Sequence, residues 1–390
     1  MPNTTRITPP DWLGREGIQQ IIAAFDIAQQ PLRFVGGAVR DTLRDIAVHD
    51  IDACTPATPH EVIKLLETAG IRTIPIGLDH GTVLAISGDD KIEITTLRTD
   101  KKTDGRHAEV QFGTDWKADA LRRDFTMNAL LLAPDGTLTD YVGGLDDLNA
   151  DIIRFIGNPA KRIEEDYLRI LRYARFIATT GSTHNDSDAL NACKAASDKL
   201  STLSAERIQQ EMMKLLAAPD PRDALSLLEN MNAAEFLFHT KQLKSPHTTH
   251  EHALLRLSLI LRAQQVTSDK MALNWKLSKA DSQLLGTLCT AATEPPLHLL
   301  QEHGAGVATL LAHRAHAEER YDIEAFNEVQ AGWKPINFPL SGQDIMDAGI
   351  EAGKQIGETL NSLKNEWKNS DYTLTRNELL KKLNERITHQ

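Results

Sequence analysis

The chain has 390 residues, 41% of them hydrophobic and 25% charged, and a formal net charge of −11. These values describe a globular protein of roughly two to four domains and exclude one that coats nucleic acid indiscriminately. They leave room for an RNA enzyme that works through local arginine clusters, with modest, salt-sensitive affinity. No apolar run approaches the length of a membrane span, and the polar segment 1–10 is expected to lack a signal-peptide core. Cys54, Cys193 and Cys289 lie far apart with no metal or redox spacing, which predicts a reducing cytoplasm and no disulfide.

In chain order, a helix is predicted over 14–29 and an apolar strand over 32–35. The strand ends at Gly36-Gly37, which opens a helix over 38–45, and a second strand carries Asp50 and Asp52. Alternate side chains of a strand point the same way, so the two aspartates project together with Ile51 buried behind them. Adjacent carboxylates repel unless a cation sits between them, and with phosphate oxygens they form a usual Mg²⁺ environment. A glycine turn before a helix offers N–H groups to phosphate, and Arg40 adds a forked donor. Alone, such a turn is only a turn and Asp-x-Asp only a solvated strand end. Their order and spacing together point to a metal site that handles a nucleoside triphosphate.

A helix over 60–69 stops at Gly70, and strands follow over 71–76, 82–87 and 91–97, with a turn at 88–90. Glu93 faces away from Ile92 and Ile94, as a solvent-facing residue of a half-buried strand would. The polar stretch 99–113 predicts a mobile loop. Arg122-Arg123-Asp124 could form a surface ion pair of little weight. From about residue 163 the pattern is helical. Asn158 and Pro159 start a single helix over 160–178, with Ile163, Tyr167, Ile170, Leu171, Ala174 and Ile177 as its apolar stripe. Asp166, Arg169, Arg172 and Arg175 recur every third residue away from that stripe, commonly the mark of a solvated face. Ser204 caps a helix that carries Glu206, Arg207 and Glu211, and this segment is read as structural. His247, His250, Glu251 and His252 fit no zinc spacing and read as a loop entering a helix. The glycines between 342 and 357 suit either a nucleic-acid backbone or plain helix packing.

The run Gly36-Gly37-x-Val39-Arg40-Asp41 followed by Asp50-x-Asp52 resembles the nucleotidyltransferase superfamily that includes DNA polymerase beta. More narrowly it is similar to the bacterial-type (class II) tRNA nucleotidyltransferase and poly(A) polymerase family, over most of the first 215 residues. The resemblance implies an α+β fold. A polymerase-beta-like head, a small mixed sheet with helices, would span 1–150. An elongated all-α remainder would follow, with neck 151–218, body 219–330 and tail 331–390. It implies template-independent addition of C, C and A to the 3′ end of tRNA from CTP and ATP, with two Mg²⁺ ions held by Asp50 and Asp52. Glu93, in Glu-x-Thr-Thr-x-Arg, would be a supporting acid. Gly36, Gly37 and Arg40 would position the triphosphate, Arg123 would reach the phosphates or base, and Asp124 and Asn128 the ribose. The Glu165-Asp166-x-x-Arg169 segment, with Arg172 and Arg175, would select the base. Asp104-Gly105-Arg106-His107 would belong to a loop that acts as a lever.

Selection of this kind follows from donors and acceptors. Cytosine and adenine each present an amino group beside a ring-nitrogen acceptor, so Asp166 accepts from the one and Arg169 donates to the other. Uracil and guanine reverse that pattern, and each unpaired buried group costs roughly 1–3 kcal/mol. The expected partners are the acceptor end and elbow of tRNA, with no DNA and no membrane. Poly(A) synthesis, addition of only CC or only A, and a non-catalytic tRNA-binding role stay open. A small-molecule nucleotidyltransferase fits poorly with so long a helical remainder. The one His-Asp pair, His49-Asp50, already lies in the head, so no His-Asp phosphohydrolase activity is expected.

Overall fold

The computed structural model describes residues 2–104, 107–182, 186–243, 247–351 and 353–388. They fall into two units, Met1–Leu243 and Lys244–Gln390. The first begins β1 (Asn3–Arg6), α1 (Glu16–Ile27), β2 (Arg33–Val35), α2 (Gly37–Leu43), β3 (Ile51–Thr55), α3 (Pro59–Thr68), β4 (Arg72–Gly77), β5 (Thr82–Ser87) and β6 (Asp90–Thr96). It continues with β7 (Arg98–Asp104), β8 (His107–Phe112), α4 (Trp116–Arg122), β9 (Leu131–Leu132), β10 (Thr137–Asp140) and α5 (Gly144–Asn149). Helices α6 (Pro159–Glu165), α7 (Leu168–Thr180), α8 (Ser187–Ala195) and α9 (Ala205–Leu216) lead to two further short helices.

One mixed sheet has the strand order β1-β10-β9-β2-β3-β6-β5-β4. Strands β3 and β6 run parallel, and the other neighbours are antiparallel. Alternation sets the faces: β5 buries Val83, Ala85 and Ser87, and β6 buries Ile92 and Ile94. Helices α1 and α3 cover this face with Ile18, Ile21, Phe25, Val62 and Leu66. Close approach of α1 needs Gly17, since a Cβ there would lie 2.2 Å from the Ser87 carbonyl oxygen.

Two expectations are corrected. Most of the described part of 99–113 is strand rather than loop: β7 and β8 pair as an antiparallel ribbon, with Arg98 opposite Phe112. Its sequence carries polar residues at both parities, so no apolar alternation announces the strands. Of Asp104-Gly105-Arg106-His107, the central two lie outside the described residues. The helix expected over 160–178 is two helices. It breaks at Asp166, whose backbone is extended (φ −157°, ψ 106°). The Asp166 carboxylate accepts the Leu168 N–H at 3.1 Å, so the side chain competes with the helix and caps its successor.

The second unit is helical among its described residues, from Ala253–Ala263 to Arg376–Thr388. Near its end Leu340, Ile345, Leu363, Trp367, Leu379 and Leu383 form one core. His250 and His252 precede the first of these helices, and the His250 ring lies 4.6 Å from that of His313. Among the described residues no helix is long and apolar enough to cross a membrane.

Candidate active site

Antiparallel pairing of β2 with β3 places Val35 opposite Asp52, so the turn that ends β2 stands over the aspartate. Gly36 has φ +75°, and a Cβ there would lie 3.3 Å from Asp52 Oδ2. The positive φ thus favours glycine here, and a side chain would also press on the neighbouring carboxylate. Asp50 and Asp52 line one cleft of about 400 Å³ with Gly36, Gly37 and Arg40. Arg123, Asp124, Asn128, Arg172, Arg175 and Phe176 complete much of its wall.

The distant segment 123–128 is brought to α7 by aromatic packing. Phe125 packs tilted against Phe155 at 4.7 Å and meets Phe176 edge-on at 5.3 Å between ring centres. This sets Asp124 beside Arg172, whose Nε donates to Asp124 Oδ2 at 2.7 Å. Asn128 links the same carboxylate to the first helix of the site: its Oδ1 accepts from Arg40 Nη1 at 2.9 Å, and its Nδ2 reaches Asp124 Oδ1 at 3.4 Å. Burial works to raise the Asp124 carboxyl, and Arg172 with the local hydrogen bonds more than reverses it, holding it below its usual range. The Phe176 ring carries Arg175, Arg40 and Arg172 at 4.2, 5.2 and 5.5 Å from its centre.

Each lining arginine already faces a carboxylate. Arg40 pairs with Asp41 through two hydrogen bonds of 2.8 and 3.0 Å, and Arg123 with Asp119. Arg172 pairs with Asp124, and Arg175 lies 2.7 Å from Glu211 without hydrogen-bonding geometry. Among the described residues, no side chain pairs with or donates to Asp50 or Asp52. Burial above all, then Glu93, with Asp50 contributing and Arg123 opposing, pushes the Asp52 carboxyl up to about 6. An ionised Asp52 is therefore short of positive charge.

Glu93 is the parallel neighbour of Asp52 on β6, exposed and outside the cleft wall. Among the described residues, no three histidine, cysteine, aspartate or glutamate side chains are gathered as a metal cluster. Asp166 and Arg169 are not brought to the cleft wall either. Asp166 pairs with Arg207 at 2.7 Å, and Arg169 donates to Glu165 at 2.6 Å. Another hollow, of about 550 Å³ in the second unit, holds Arg262 committed to Glu318 and gathers no paired carboxylates of this kind.

The model of the poly A polymerase head domain matches residues 32–154, and that of the probable RNA and SrmB-binding site of polymerase A matches 186–245. The mouse mitochondrial CCA tRNA nucleotidyltransferase 1 is 34% identical over 97% of this chain and 92% of its own length. The chain belongs to the CCA tRNA nucleotidyltransferase family. The CCA-adding enzyme of Streptococcus gordonii is 37% identical over 85% of this chain and 87% of its own length. The crystal structure of the Bacillus stearothermophilus CCA-adding enzyme in complex with CTP superposes with a TM-score of 0.82. It has 27% identity and covers 96% of this chain and 98% of that one.

Several residues that pack on or pair with the cleft of this nucleotidyltransferase were not singled out in the sequence as part of it. Asp41 stands in the Gly36-to-Asp41 run with no role of its own assigned, and Asp119 passed unremarked; the structure pairs them with Arg40 and Arg123. Glu211 was read as part of a structural, capped helix start, and the structure sets it against Arg172 and Arg175 of the cleft. The segment Asp140–Gly144 also passed unremarked. Asp140 accepts the N–H groups of Val142, Gly143 and Leu145, and a Cβ on Gly144 would lie 2.2 Å from the Thr126 carbonyl oxygen. The paired glycines flanked by aspartates were the available signal, since this turn packs directly on the 124–128 segment.

Proposed function

We propose that this enzyme adds C, C and A to the 3′ end of tRNA from CTP and ATP, with Asp50 and Asp52 holding a pair of Mg²⁺ ions. The observation that carries the reading is two carboxylates that, among the described residues, make no side-chain ion pair or hydrogen bond, sharing one cleft with the glycine turn and four arginines. Hard oxygen donors, few in number, beside room for phosphate suit Mg²⁺, which commonly keeps one or two carboxylates and completes its shell with phosphate and water. Bound there, the ions would supply charge neutralisation for the attacking and departing oxygens.

The chain's own residues do the rest. The Gly36–Gly37 turn offers backbone N–H groups beside Asp52, and Arg40 and Arg123 offer guanidinium edges to the triphosphate. Asp124 and Asn128, fixed by Arg172 and Arg40, hold the ribose. The tRNA 3′-oxygen attacks the α-phosphorus, the bond to the β-phosphate oxygen breaks, and pyrophosphate leaves. Positioning supplies much of the acceleration, because little covalent chemistry falls to the protein. Glu93 supports Asp52 from the adjacent strand. Base selection by Asp166 and Arg169 requires each to release a present partner, Arg207 and Glu165 respectively. The head, neck, body and tail divisions at 150, 218 and 330 belong to the same proposal, as does a tail that grips the tRNA elbow. Three free cysteines suit a reducing compartment such as the cytoplasm.

Poly(A) synthesis is the second reading, since the matched head-domain model carries that name. Offering tRNA that lacks its last three nucleotides with CTP and ATP, separately and together, and sequencing the products decides between them. A defined three-nucleotide end is expected, and a long A tract would replace the reading with poly(A) synthesis.

A further inference from the structure

Asp119 sits on α4 three and four residues before Arg122 and Arg123, and its side chain is 1% exposed. Its Oδ1 accepts from Arg122 Nε at 2.8 Å and from the backbone N–H of Arg98, the first residue of the β7–β8 ribbon, at 3.4 Å. Its Oδ2 accepts from Arg123 Nε and Nη2 at 3.1 and 2.8 Å. From the other side, Arg162 Nη2 donates to the carbonyl oxygens of both Arg122 and Arg123. The dipeptide is thus clamped by its side chains and its backbone at once. Burial raises the Asp119 carboxyl, and Arg123 and Arg122 more than reverse this, so it stays ionised and both oxygens stay committed.

Only Arg123 of the pair lines the cleft. A guanidinium has five N–H donors in a rigid plane. Pairing side-on through Nε and Nη2 leaves the opposite edge, Nη1 with the second N–H of Nη2, to meet a ligand. A pair of phosphate oxygens matches that edge. We propose that Asp119 is a positioning residue for the reaction, locking Arg123 so that its free edge is presented to the phosphates of the incoming nucleotide. The inference rests on the reading of Arg123 as a nucleotide ligand. Because every nucleoside triphosphate carries the same phosphates, the effect is common to CTP and ATP and leaves base choice alone.

The test compares Asp119→Asn, Arg123→Gln and the double variant in steady-state kinetics with tRNA lacking its terminal CCA. Asp119→Asn is expected to raise KM for CTP and ATP alike by roughly 10- to 100-fold, with discrimination against UTP and GTP unchanged. The double variant is expected to be no worse than Arg123→Gln alone. If Asp119→Asn does not fold, Asp119→Asn with Arg122→Gln, which removes one of the cations left unpaired, carries the same test. An unchanged KM in Arg123→Gln overturns the reading of Arg123. A raised KM there with an unchanged KM in Asp119→Asn overturns the inference, because a purely structural loss lowers the active fraction and thus kcat alone. Effects that multiply in the double variant overturn it as well.

Discussion

Replacing Asp52 by asparagine should make the metal-free protein more stable while silencing it. Burial, then the Glu93 and Asp50 carboxylates, lift this group from 3.8 to about 6 against the pull of Arg123. A displacement of that size corresponds to about 3 kcal/mol of charging cost, and partial contact with solvent reduces it to about 2 kcal/mol. The sign follows from proton binding. Below pH 3.8 the carboxyl is neutral in both folded and unfolded chains, and no penalty exists. As pH rises through about 6 the folded chain must ionise it, stability is lost, and the full penalty is present above about 7. In thermal melts in EDTA at pH 8, the first unit of the Asp52→Asn variant should melt roughly 4–8 °C above the wild type. The gap should close towards pH 4, and Mg²⁺ added at pH 8 should narrow it by stabilising the wild type alone. Equal midpoints at pH 8, or a gap that does not shrink on acidification, would refute the claim that Asp52 is held at a charging cost.

Two other expectations are simpler. Arg169→Ala should weaken discrimination against UTP and GTP by about tenfold or more in single-nucleotide assays; unchanged selectivity would place the base-reading edge elsewhere. Gly36→Ala should cost about 1–2 kcal/mol in urea unfolding, from a left-handed backbone and a Cβ crowding Asp52, and should cut incorporation sharply. A fully active, equally stable variant would remove the glycine turn from the site.

What could be read in advance was whatever is encoded locally. Gly36-Gly37, Asp50 and Asp52 lie within 17 residues, and strand alternation alone puts the two acids together. From residue 14 through 97 the order of elements was legible, helped by β5 and β6, which alternate apolar and polar residues cleanly, whereas β1 in the polar segment before it was not. The β7–β8 ribbon was not, since polar residues at both parities look like loop. The break at Asp166 was hidden because the apolar stripe from Ile163 to Ile177 continues across it, and only the capping of Leu168 reveals the restart. Asp119 was invisible for another reason. An acid three and four residues before two arginines looks like a surface pair worth little, and only its depth in the fold makes it a clamp. Asp166 and Arg169 were named from a motif, and their pairing with Arg207 and Glu165 depends on α9 and on the helix break, neither of which that motif describes.

The most direct measurement uses Asp50→Ala and Asp52→Ala, each purified and shown to be folded, with tRNA lacking CCA, CTP, ATP and saturating Mg²⁺. Neither variant should extend the RNA, and both should bind it about as well as the wild type. Incorporation at a rate near that of the wild type in either variant would contradict the assignment of these two carboxylates as the reaction's metal-holding pair.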